Sequence, residues 1–147
     1  MKLTIRMKGI EKLEKRLNNL ANKGIKRVLR RATRSGTGVL AKAVKAAVPV
    51  DKGDLKRAMG SKVAGKGFAM KGIVGADVDK LKAKHGEDKD YPTNIGHLVN
   101  FGHVAPDGTF IPPDGFMQRG AASGMPAAER NYVDTLASGI EQEATRG

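Results

Sequence analysis

The 147-residue chain has no cysteine and no tryptophan, and aromatic residues make up only 4% of it. Without cysteine there are no disulfides and no cysteine-held metals, which fits a reducing compartment. With so few rings, the core has to be built mainly from Leu, Ile, Val, Ala and Met. The length gives room for one domain of modest core, residues 1–147, for which contacts with other subunits are a natural source of extra stability. Long apolar runs are missing too. The opening, Met1 to Lys8, alternates apolar and charged residues, unlike a secretory leader. Nothing approaches the roughly 18 apolar residues of a membrane span. The expectation is a soluble protein made in a cytoplasm, with no membrane partner.

Acidic residues are scarce in one part of the chain. Residues 1–60 hold 17 Lys and Arg against 4 Asp and Glu, residues 61–90 hold 7 against 5, and residues 91–147 hold 3 against 6. The net charge of +12 is therefore an amino-terminal property. Such a block attracts polyanions, whether nucleic acid, an anionic membrane or an acidic protein, or else it is a solvated face that keeps the protein in solution. Residues 1–60 contain no aromatic side chain, so a stacking platform for single strands is absent there. No Asn or Gln sits among the basic side chains of residues 23–48 to read base edges. Contact with DNA would then be to its backbone only.

Signals of catalysis are also missing. Ser35, Ser61, Ser123 and Ser138 stand in no nucleophile-elbow context, and His85, His97 and His103 match no familiar zinc spacing. The 19 glycines include no phosphate-cradling motif followed by Lys-Ser or Lys-Thr. No enzyme activity, metal or cofactor is expected.

What is present begins with alternation over Leu3, Ile5 and Met7, the period of a half-buried strand. A short amphipathic helix follows from Ile10 through Leu20. Residues 23–48 then read as one long helix. At 100° per residue Lys23, Lys26, Arg27, Arg30, Arg31, Arg34 and Lys45 share one side, and Ile25, Val28, Leu29, Ala32, Val39, Leu40, Ala43 and Ala47 the other. Ser35-Gly36-Thr37-Gly38 marks a bend in that helix or a close packing contact. Pro49 stops the helix. Asp51 and Gly53 shape the turn, and Asp54 is placed to cap a short helical turn over Leu55 to Met59.

Residues 61–64 and 68–76 form a hairpin around Gly65-Lys66-Gly67, with Phe68, Met70, Ile73 and Val74 as core candidates and Gly72 suggesting a bulge. Long loops are expected at about 77–94 and 103–118, the second with turn signals at Ala105-Pro106-Asp107-Gly108 and Pro112-Pro113-Asp114-Gly115 that mark either an ordered arm or an unstructured surface loop. Gly120 to Gly124 reads as a flexible connection. A last helix starts near Pro126, with Val133, Leu136, Ala137, Ile140 and Ala144 on its apolar side. The fold class is α+β: a long basic helix across a small antiparallel sheet, with a short amino-terminal and a carboxy-terminal helix.

Several stretches then fall into a recognisable order: Gly-Ile-Glu-Lys-Leu at residues 9–13, Ala-Ala-Val-Pro-Val-Asp-Lys-Gly-Asp-Leu-Lys-Arg-Ala-Met at residues 46–59, Tyr91, Val99-Asn100-Phe101-Gly102, Phe116-Met117-Gln118-Arg119, and Pro126-Ala127. In this order the chain resembles the small tail-completion or head-tail joining (neck) proteins of long-tailed bacteriophages, the gene-product-ten-like family of HK-type siphophages. The motif residues are Pro49, Asp51, Gly53 and Leu55, then Val99, Phe101 and Gly102. The resemblance implies a non-enzymatic virion protein that forms a homo-oligomeric ring on assembly and meets connector or head-closure and tail-terminator or tail-tube proteins. Lys23, Lys26, Arg27, Arg30, Arg31 and Arg34 would then face the backbone of passing phage DNA, and the acidic carboxy-terminal segment of one subunit could meet the basic segment of the next. The alternative is a free, nonspecific duplex-binding protein acting through the basic helix.

Overall fold

A computed structural model describes residues 2–5, 23–50, 53–77 and 92–145. The expected short helix at residues 10–20, Met7 of the first strand, Asp51 and most of the 77–94 loop lie outside them. The elements are β1 (Lys2–Ile5), α1 (Lys23–Ala47), α2 (Asp54–Ala58), β2 (Met59–Lys66), β3 (Ala69–Ala76), α3 (Pro92–Phe101), β4 (His103–Val104), β5 (Phe110–Ile111) and α4 (Phe116–Ala144). The class is α+β. β1, β3 and β2 form an antiparallel sheet in that order, and β4 and β5 a separate two-stranded ribbon.

The long helix runs as its periodicity dictates. Ile25, Val28, Leu29, Ala32 and Leu40 are buried, while Val39, Ala43 and Ala47 are half-buried. Thr33 and Thr37 are buried too, at no polar cost, because each hydroxyl donates to the carbonyl one turn back: Thr33 Oγ1 to Leu29 O at 2.8 Å and Thr37 Oγ1 to Thr33 O at 2.6 Å. Of the two readings of Ser35 to Gly38, the close contact is the one found, and the helix is unbroken. Gly36 lies against Ala128 and Tyr132, where a Cβ would come within 2.9 Å of the Ala128 carbonyl oxygen.

α4 corrects the expectation most. It begins at Phe116, ten residues before Pro126, so the Gly120 to Gly124 segment is helix rather than connection. Its buried positions are Phe116, Met117, Gly120, Gly124, Ala128, Tyr132, Leu136 and Gly139, whereas Val133, Ala137 and Ala144 are exposed. The reason is the way it meets α1. The two helices run antiparallel along their length, with Gly120 on Val44, Gly124 on Ala43 and Leu40, and Gly139 on Val28. A Cβ at Gly120 would stand 2.5 Å from the Val44 Cα, so backbones approach where a larger residue would hold them apart. Small residues carry the close approach of the backbones, and Phe116, Met117, Tyr132 and Leu136 fill the core on the same helix. Pro126 sits inside the helix on its exposed side. Its missing N–H would have bonded the carbonyl of Ala122, which is also exposed and open to water.

The hairpin is regular, but pairing runs on through Gly65 and Lys66, so its turn is Gly67-Phe68 rather than Gly65 to Gly67. Gly72 pairs with Val63 on one side and with Ile5 on the other, without a bulge. It is glycine because the Thr37 side chain of α1 occupies the space of a Cβ. Paired residues share a sheet face, which puts Val74, Met70 and Gly72 toward α1, and Ile73 with Lys62 on the other side. Val74 is buried in the main core with Leu40, Val44, Val48, Met59, Phe116 and Met117. Phe68 and Met70 pack on a second cluster around Leu29, Tyr132 and Leu136. Ile73 is half-buried and, among the described residues, belongs to none of the buried clusters.

Candidate functional site

The turn after α1 contains Pro49 and Val50, both exposed, and Gly53, whose φ of 77° is the left-handed conformation that favours glycine. Gly53, not Asp54, occupies the N-cap of α2. Asp54 falls in the first helical turn and makes an ion pair with Arg57. Leu55 packs against the main core and lies beside Gly96 of α3. Val99 of α3 packs on the same core. The two motif segments, distant in sequence, therefore meet at the carboxy-terminal end of α1.

α3 also anchors the chain on both sides of the ribbon. The Val99 carbonyl accepts from Asp114 N (2.9 Å) and the Asn100 carbonyl from Gly115 N (3.1 Å). The buried side chain of Asn100 reaches on to α4, its Oδ1 accepting from Met117 N at 2.9 Å. Asn100 thus caps α4 from another element, satisfying one of the donors a helix leaves open at its start. Nothing in the periodicity of the sequence signals this role. Gly102, with φ 76°, passes so close to Ile111 O and Pro113 that a side chain would collide with them.

Between these anchors stands the ribbon β4–β5, so the second expected loop is an ordered arm. Its tip is closed by Ala105 N to Thr109 O (2.8 Å), Gly108 N to Ala105 O (2.9 Å) and Thr109 N to Asp107 Oδ1 (2.9 Å). That last bond, together with one from the Thr109 hydroxyl, holds the Asp107 carboxyl below the ordinary aspartate range. The arm is apolar on its outside: Val104 and Phe110 pair across it and are 65% and 66% exposed, and Phe101 beside it is 60% exposed.

The basic face lies at the other end of α1. Arg27, Arg30, Arg31 and Arg34 are exposed and fall within about 100° of one another around the helix. Among the described residues no carboxylate pairs with any of the four. Arg30 reaches the hairpin, its Nη2 3.4 Å from Gly65 O, and Lys26 Nζ stands 5.4 Å from the centre of the Phe68 ring. Lys23 is the first residue of α1, and its side chain is not among those described.

Residues 11–102, well over half the chain, match the model of the family described as "Bacteriophage HK97-gp10, putative tail-component". The chain belongs to this family. The matched span takes in the basic helix, the stop turn, the hairpin and α3 up to Gly102, and it ends where the arm begins. No curated protein and no solved structure matches the chain. A tail component is part of the virion, and no helix among the described residues is long and apolar enough to cross a membrane.

Proposed function

We propose that the chain is a non-enzymatic tail-completion or neck protein, made in the host cytoplasm, that acts as one domain and joins others in a ring around the DNA channel. Its membership of a tail-component family carries this reading. In such a ring it meets connector or head-closure proteins on one side and tail-terminator or tail-tube proteins on the other. The exposed arginines of α1 give the channel a use for charge. They attract the phosphate backbone without reading sequence, which suits a passage through which every part of a genome must slide.

The test is mass measurement by light scattering with negative-stain imaging, on the chain alone and mixed with connector and tail-tube proteins. The expected result is ring-shaped assemblies once a partner is present, with weak affinity for free duplex. The exposed arginine arc favours one competing reading, a free nonspecific duplex binder. A chain that stays monomeric with every tail protein and binds duplex tightly would replace the ring by that reading.

A further inference from the structure

We propose that the apolar arm of one copy docks on the hairpin tip of a second copy, joining subunits head to tail. This rests on the ring reading and names the surfaces that would build it. Among the described residues, five of the six large apolar side chains left exposed, Val50, Phe101, Val104, Phe110 and Ile111, belong to the arm, to the end of α3 beside it or to the turn after α1. The end of α1 and the start of α4, which comes directly after the arm, are in contact through Val44 and Gly120, so these residues share one end of the molecule. The arm is held by its own hydrogen bonds and by Asp114 and Gly115 on α3, so docking orders little that is not already ordered.

The opposite end offers a surface of matching chemistry. At the hairpin tip Phe68 and Met70 are only half-buried, with Lys26 over the Phe68 ring and Arg30 on the carbonyl of Gly65, the residue paired with Met70. The arm carries the reverse: an apolar face with the charged, solvent-exposed carboxylate of Asp107 at its tip. Arm against arm would bring two such carboxylates together, and tip against tip two cationic rims, so charge disfavours both symmetric dimers. Arg30 and the end of α1 are about 25 Å apart at 1.5 Å per residue, too far for one chain to cover its own patch. Pairing of two different surfaces propagates, and it closes into a ring when the rotation allows. The apolar patch alone is on the order of a few hundred Å², short of the roughly 800 Å² per partner of a stable interface, so the charged rim and a ring's neighbours must add to it. The docking engages Lys26 and Arg30 and leaves Arg27, Arg31 and Arg34 open to DNA.

The absence of cysteine makes the test clean. Tails assembled with the full chain carrying both Val104→Cys and Lys26→Cys are oxidised and run on a non-reducing gel, with the two single variants alongside. The expected result is a ladder of chain multimers from the double variant only. Dimers from Val104→Cys alone, a bond from the arm to a different tail protein, or no ladder at all would overturn the proposal. Quantitative mass spectrometry of the same tails separates the two ideas. Several copies per tail without the ladder sink the arm-to-tip contact alone, while one copy per tail sinks the ring as well. As a second route, Asp107→Arg is expected to lower incorporation into tails at least several-fold, and adding Arg30→Asp to restore it. Failure of the reversal to restore incorporation counts against the charged rim.

Discussion

The side-chain oxygen of Asn100, at the end of α3, accepts a hydrogen bond from the backbone N–H of Met117 in the first turn of α4, 2.9 Å away. Both residues are almost fully buried. One amide side chain thus ties the start of the longest helix to the element that carries the arm.

Replacing it should be felt at both places. Asn100→Ala leaves the Met117 N–H buried without a partner, at a cost of about 1–3 kcal/mol. Urea unfolding should show that loss, and hydrogen exchange should speed up at Met117 and along the arm. Unchanged exchange at Met117 would mean that the amide does not cap α4.

The glycines of the helix pair should split by neighbour. Gly120→Ala pushes a methyl against the Val44 backbone and should destabilise by about 1–3 kcal/mol, since neither helix can yield locally. Gly38→Ala meets nothing within 4 Å and should stabilise by up to about 1 kcal/mol through helix propensity. Thermal unfolding of the two variants checks the sign of each.

Reversal of Arg27, Arg31 and Arg34 to Glu should leave stability within about 0.5 kcal/mol, because all three are exposed and unpaired among the described residues. Duplex binding should weaken, and the slope of log affinity against log salt should fall by about 3, one unit for each lost phosphate contact. Full infectivity of a phage carrying the triple change would reduce the arc to a solvated face.

The arm tip should be acid-resistant. The folded pKa of Asp107 is lowered by its bonds from Thr109, so its contribution is complete above the ordinary aspartate pKa and is lost only as pH falls through the lowered value. The Thr109 amide shift, followed by NMR, should therefore titrate below the ordinary aspartate range, and Asp107→Ala should abolish that titration. A midpoint at the ordinary value would show that the turn does not hold the carboxylate.

The sequence by itself determined the elements whose causes lie within a few residues. The two faces of α1 follow from the spacing of its Leu, Val and Arg residues, the stop from Pro49, the turn from Gly53, and the presence of the hairpin, though not the place of its turn, from the strand-like residues flanking Gly65 to Gly67. The motif order, being linear, was legible there as well. Tertiary structure decided what depends on the surface opposite. α4 starts ten residues early because Gly120 and Gly124 lie under α1, a contact that depletes the large apolar residues by which a helix is usually read; only the four-residue spacing of Gly120, Gly124 and Ala128 hinted at it. Gly72 is explained by Thr37 across the sheet, and Asn100 by Met117 seventeen residues on. The arm is the same case. Val104 and Phe110 read as residues of a loop and Phe101 as a residue of the motif before it, and only the packed fold shows that nothing among the described residues covers them.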